Sequence, residues 1–234
     1  MTVNAQILNN RPLPGAQINF NHPLAKGLLC YFLCNDTGQR LIDSSVYRRH
    51  GLAVGGKGLW HGRVLNGTTD YATFPYPGAV VYLAVWVKVR VWTASSRIVV
   101  VPFNFAVWGT PFIEFALGLG AAANTFAMEC NVNGVYKTAA STTTFMTERD
   151  YFVEASYDNA TLRLYVNSNE RASLASAGTI TRYTQTSIIG SRAPTPNSLF
   201  PAIVKAVIAY NRIPAQIERQ KLYEHPYDMF LKGN

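Results

Sequence analysis

Glu148, Asp150 and Glu154 come nearest in this chain to a catalytic set. Glycoside hydrolysis by a retaining route needs two carboxylates flanking the scissile bond at ~5 Å. Glu148 and Glu154 would stand ~20 Å apart on an extended strand, and Phe152 takes the slot between Asp150 and Glu154. Nothing else replaces them. His22 and His225 each precede a proline near opposite ends of the chain. There is no Gly-x-Ser-x-Gly elbow, phosphate-binding glycine loop or paired-histidine metal motif. The expectation is a non-enzymatic protein with no catalytic residues.

Residues 81–92 suggest binding instead. Val81, Leu83, Val85, Val87, Val89 and Val91 form one aliphatic face of a strand, which must pack on an opposing sheet. The alternate positions hold Tyr82, Ala84, Trp86, Lys88, Arg90 and Trp92. Rings stack on the apolar faces of sugars and cations attract acidic groups, so Tyr82, Trp86, Trp92, Lys88 and Arg90 are candidate carbohydrate contacts. The competing reading has loops or terminal segments covering Trp86 and Tyr82.

Cys30 and Cys34 lie four apart in an apparent strand, ~13 Å between Cα atoms, beyond the ~7 Å reach of a disulfide. They read as buried apolar residues, and Cys130 has no neighbour at a metal-ligand spacing. Sequons at Asn35, Asn66 and Asn159 read as turn chemistry. The net charge of +8 comes from scattered basic residues, with only Arg48 and Arg49 adjacent, and no nucleic-acid-binding motif accompanies them. Such a surface suits an acidic protein lattice or an anionic polysaccharide, and no specific nucleic acid is expected.

The elements that would carry these residues are strands. With 234 residues, 48% of them apolar, the chain can bury one sizeable core, and one domain is expected. No apolar run reaches the ~18 residues of a membrane span. Residues 1–10, MTVNAQILNN, lack the basic start and apolar core of a secretory signal, so synthesis in a cytoplasm is expected. Residues 151–167, YFVEASYDNATLRLYVN, alternate on both sides of Asp158-Asn159-Ala160, with a second turn at Asn167-Ser168, and read as an antiparallel hairpin. Residues 214–224, PAQIERQKLYE, read as a short helix with Pro214 in its first turn.

That hairpin resembles the signature hairpin of concanavalin A-like, laminin-G-like domains, whose strand ends in Tyr-Asp and returns as Leu-x-Leu-Tyr-Val-Asn. Further matches follow in order: Gly27 to Phe32, Asp43-Ser44-Ser45 with His50, Leu65 to Tyr71, Val85 to Lys88, Ile189-Gly190 and Val207 to Arg212. The resemblance spans roughly 22–230. It implies an all-β, two-sheet antiparallel jelly-roll sandwich with a short closing helix, residues 1–21 forming an extended N-terminal arm.

Family members that cleave β-glucans carry acidic residues at alternate positions of one strand. Aligned on Tyr157-Asp158, Glu148 and Asp150 fall in the turn before that strand. Many relatives hold calcium near the ligand edge, sometimes through an acidic pair before the last long strand. The matching positions here are Lys205 and Ala206, which argues against calcium and leaves Asp43 and Asp70 as candidate ligands should a metal bind. As Asx-turn residues neither needs an ion, and His50 matches a position that orders a turn.

The arm is polar, with apolar anchors Ile7, Leu8, Leu13, Ile18 and Phe20 that could order on a neighbouring subunit. Chains that open as Asn21 to Leu28 does, and close soon after the helix, resemble laminin-G-like proteins of tailed bacteriophages. The resemblance implies a virion surface protein, of capsid-decoration or fibre type, held on viral capsid or other virion subunits by the arm and the basic surface. It would be a homo-oligomer or lattice-bound multimer touching cell-surface glycans through copy number. Alternatives are a soluble lectin using Tyr82, Trp86 and Trp92, and a glucan hydrolase, for which the carboxylate pairing is missing.

Overall fold

The computed structural model describes residues 11–13, 15–103, 113–191 and 201–231. Its strands form two antiparallel sheets. The first sheet runs β14 (Asn169–Ala175), β13 (Thr161–Val166), β12 (Asp150–Tyr157), β7 (Tyr82–Val89), β16 (Pro201–Tyr210), β5 (Gly62–Asn66) and β4 (Lys57–Leu59). A further strand, β1 (Leu28–Phe32), pairs with the C-terminal half of β16, while β5 pairs with its N-terminal half along the same edge. The second sheet runs β11 (Val135–Ala140), β10 (Phe126–Val132), β9 (Ile113–Leu119), β8 (Arg97–Phe103), β15 (Ser187–Ile189), β6 (Tyr71–Phe74), β3 (Gly51–Val54) and β2 (Arg40–Leu41). Among the described residues the one α-helix, α1, is Gln216–Glu224. This is the expected jelly-roll sandwich.

The main core lies between the sheets, because each strand turns alternate side chains inward. β7 contributes Leu83, Val85, Val87 and Val89, which meet Phe115 and Leu117 of β9 and Phe126 and Met128 of β10. The aliphatic face is therefore where the pattern puts it, but the strand stops at Val89, and Val91 is exposed. β12 and β13 form the expected hairpin, with Asn159 at φ 67° in the first turn and Asn167 and Ser168 at φ 52° and 62° in the second. Two consecutive left-handed residues suit the two-residue turn that matches strand twist. Cys30 and Cys34 are free and buried, as expected, although Cys34 lies beyond the end of β1, and Cys130 is free and buried too.

A second core covers the outer face of the first sheet. Tyr82, Ala84 and Trp86 of β7, Phe152 of β12 and Ile208 and Tyr210 of β16 pack beneath Leu222 of α1 and Met229 and Phe230 of the C-terminal segment. Ile18 joins this core and bridges to Phe230, and backbone N–H groups of Asn19 and Leu231 donate to Met229 and Gln17. Residues 17–19 thus belong to the domain, whereas the sequence placed the arm's end at residue 21. Ile18 faces its own chain and not a neighbouring subunit, because the outer sheet face needs an apolar cover. Leu13 and Phe20 remain exposed, and Ile7 and Leu8 lie outside the described residues. The helix begins two residues after Pro214, with the Glu218 carboxylate accepting from the Ala215 N–H at 2.8 Å.

Candidate functional site

Where it carries Tyr82 and Trp86, the face expected to hold sugar is closed. Trp86 packs on Phe152 at 5.0 Å and stacks with Tyr223 of α1 at 5.6 Å, Phe152 and Tyr223 also meeting at 6.1 Å, while the Tyr82 hydroxyl donates to Glu154 at 2.7 Å. Both residues are buried, so neither presents a ring to solvent. The alternation that put them opposite the main core was right. What covers them is a helix and two terminal segments whose apolar side chains have no other surface to occupy. Trp92 is half-buried and packs edge-on against Phe126 at 5.0 Å. Of the five candidates, Lys88 is half-buried and Arg90 exposed, the latter paired with Glu148 at 3.5 Å.

The acidic residues of this region are dispersed too. Glu148 sits in a turn with φ 56°, and Asp150 opens β12 and pairs with Lys205 at 2.8 Å. Glu154 lies under α1, 3.6 Å from Arg219. Burial pushes its pKa up to about 7, against the opposing pull of the Tyr82 hydroxyl and the Arg219 guanidinium.

Asp43 and Asp70 are built into turns. Asp43 Oδ1 accepts from the backbone N–H groups of Tyr31 and Ser45, and Oδ2 from the Ser45 hydroxyl and the Arg49 N–H, all within 3.0 Å. Four donors fill the lone pairs that calcium would need, so the site does not fit the ion. Asp70 Oδ2 accepts from the Asn66 N–H at 3.0 Å, and Oδ1 from the Thr69 hydroxyl at 3.1 Å. Among the described residues no three His, Cys, Asp or Glu side chains converge on a point that could hold a metal.

A groove opens instead on the outer face of the second sheet. Because β9 sends Phe115, Leu117 and Leu119 into the core, Glu114 and Ala116 point the other way. Ala116 lies beside Val100 and Ile188, and Ile188 pairs with Thr73, which pairs with Leu52. Next to this row is a cavity of about 480 Å³ lined by His50, Gly51, Leu52, Thr73, Tyr76 and Thr184 to Thr186, among others. It offers an apolar floor, hydroxyls and an amide, the mixture that a polar ligand with apolar faces requires.

Tyr76, at one side of the groove, is held by an ionic network centred on the buried Glu114. Glu114 accepts from Arg182 at 2.5 Å, from the Tyr183 N–H at 2.9 Å and from the Tyr76 hydroxyl at 3.3 Å. Burial raises the Glu114 pKa, with these donors pulling it back, and burial next to Glu114 pushes the Tyr76 phenol up to about 12. Tyr76 therefore stays a neutral donor with a fixed orientation. On the opposite wall His50 Nδ1 accepts from the Asp43 N–H at 3.1 Å, which places the neutral ring's proton on Nε2. Burial, and next the charge of Arg40, lower its pKa, keeping it uncharged.

Farther along the same face Arg97 pairs with Glu129 and reaches the Tyr136 hydroxyl at 3.3 Å. Sequence reasoning missed these residues. The available signal was a lone charge in each of three apolar strands, Arg97 in RIVVVPF, Glu114 in IEFALGL and Glu129 in FAMECNV. Such charges are buried only with a partner.

The family model described as the concanavalin A-like lectin/glucanases superfamily matches residues 66–217. No curated protein matches the sequence. Among solved structures, Trypanosoma rangeli sialidase in complex with sialic acid is similar with a TM-score of 0.64 and 16% identity, over 87% of this chain and 34% of that one. The receptor binding domain of botulinum neurotoxin C/D mosaic serotype is similar with a TM-score of 0.62 and 13% identity, over 86% of this chain and 51% of that one. The botulinum neurotoxin serotype D binding domain has a TM-score of 0.62 and 12% identity, over 87% and 53%. The chain thus spans about a third of the sialidase and about half of each toxin domain, and at these identities the likeness is one of fold.

Proposed function

As the chain belongs to the concanavalin A-like lectin/glucanase superfamily, we propose that it is a non-enzymatic carbohydrate-binding protein whose groove on the second sheet takes the sugar. The observation that carries this reading is the groove itself. An exposed Leu52 and the Thr73 side chain lie beside His50, whose Nε2 carries the ring proton, and beside the Tyr76 hydroxyl oxygen, which gives its proton to Glu114 and is left to accept, with Gln185 at the rim. Apolar sugar faces and hydroxyl edges ask for that combination. A binding role, without turnover, is supported by the carboxylates of this face. Glu114 and Glu129 are each committed to an ion pair, with Arg182 and Arg97.

The test is calorimetric titration of the chain against a panel of neutral and acidic oligosaccharides, with Leu52→Arg and Gln185→Ala in parallel. Binding that both substitutions weaken supports the groove. Binding that neither changes, or release of shorter saccharides on incubation, overturns the reading.

The finer proposal is display on a virus particle, attached through the N-terminal arm, read as residues 1–21, and the basic surface and forming a homo-oligomer or lattice-bound multimer. It is supported by the phage-type opening Asn21 to Leu28 and by the exposure of Leu13 and Phe20. Density-gradient fractionation of the lysate in which the protein is produced tests it. Comigration with particles at high copy number supports display, and retention with soluble protein removes it.

A further inference from the structure

We infer that the chain carries a second ligand site, for an acidic sugar, where Trp60 and His61 stand beside Lys88, Lys205 and Arg11 on the outer face of the first sheet. It is separate from the groove of the second sheet. β5 leaves the edge of β16 where β1 takes over, and a bulge between Val204 and Ala206 sets Lys205 at that break. Bulges re-aim side chains.

The turn from β4 into β5 packs directly on the bulge. Gly62 has φ 143°, and a Cβ there would lie 2.7 Å from the Val204 carbonyl oxygen and 3.2 Å from Lys205 Cα. Only glycine lets the turn come so close, and this approach presents Trp60 and His61 beside Lys205. Trp60 is 65% exposed, with its ring edge-on to His61 at 5.1 Å.

Positive charge is in excess here. Lys205 is buried and paired with Asp150, and an Arg11 N–H donates to its carbonyl oxygen. Arg11 Nε and Nη1 are shielded from solvent without a hydrogen-bond partner among the described residues. Lys88, opposite both Asp150 and Ile203 in register, makes no ion pair among them. Burial lowers the His61 pKa, and then Lys205, Arg11 and Lys88 lower it further, with Asp150 alone opposing. Three cations against a single carboxylate, partly removed from water, are costly without an anion. A carboxylate on a sugar ring would meet that charge while the ring's apolar face covers Trp60.

The test uses the whole chain at low salt, titrated with glucuronate, inorganic phosphate and glucose, following heat and the His61 ring resonances. Glucuronate should bind more tightly than phosphate or glucose and should raise the His61 pKa. Lys88→Gln should weaken glucuronate and phosphate about tenfold, the weight of a charge-assisted hydrogen bond. Trp60→Ala should weaken glucuronate and leave phosphate unchanged. Both side chains reach solvent, so both variants should fold, and Leu52→Arg, across the sandwich, should change none of this. No binding of either anion, or binding that Lys88→Gln does not reduce, overturns the site. Phosphate bound as tightly as glucuronate and indifference to Trp60→Ala overturn the acidic sugar as its ligand.

Discussion

Trp86 lies flat against Tyr223, ring centroids 5.6 Å apart and planes 10° from parallel, so that α1 is clamped to the outer face of the first sheet by its own aromatic residue. With Phe152, which packs on both rings, Trp86 anchors the second core. Trp86→Ala should cost ~3–5 kcal/mol of stability, as large-to-small changes of buried aromatics do. Urea unfolding measures it. An unchanged midpoint would mean that the helix does not rest on this ring.

The same helix covers an ionisable group. Glu154 has its pKa raised to about 7 in the folded state by burial, from an ordinary value of 4.5. Between these values the folded chain binds more proton than the unfolded one, so Glu154 favours folding at low pH and that contribution is lost as pH rises towards 7. Stability of Glu154→Gln, compared with the parent at pH 5 and pH 8, should fall less over the interval. Parallel pH profiles would show that Glu154 does not titrate there.

Asp43 holds its loop by four hydrogen bonds and has no lone pair left for a cation. Asp43→Ala should lose ~2 kcal/mol or more, since buried donors are left unmet, and added calcium should leave the thermal midpoint of the parent chain unchanged. A rise of several degrees with calcium would contradict the structural role assigned to this carboxylate.

The three thiols should be silent in the folded protein. Cys34 and Cys130 have pKa values pushed up to about 12 by burial, and Cys30 is raised for the same reason. Reaction with an aromatic disulfide reagent at pH 8 should be negligible until denaturant is added, and then all three should react. Fast labelling of the native chain would show that these strands open.

Much of the architecture was legible from local pattern. Alternation along residues 81–92 assigned Leu83, Val85, Val87 and Val89 to the inter-sheet core, though it also included the exposed Val91, and the YDNATLRLYVN turn residues specified the β12–β13 hairpin, because a period of two and a left-handed turn are properties of consecutive residues. The same alternation put Tyr82 and Trp86 on the other face. Only the tertiary structure decided what lies over that face, since the cover comes from Ile18, Leu222 and Phe230, remote in sequence and drawn there by burial. The two surfaces proposed to bind ligands were hidden for a like reason. His50, Tyr76 and Gln185 line one groove although no spacing links them, and Arg11, His61, Lys88 and Lys205 share one patch of charge because strand order and a bulge bring four distant segments together.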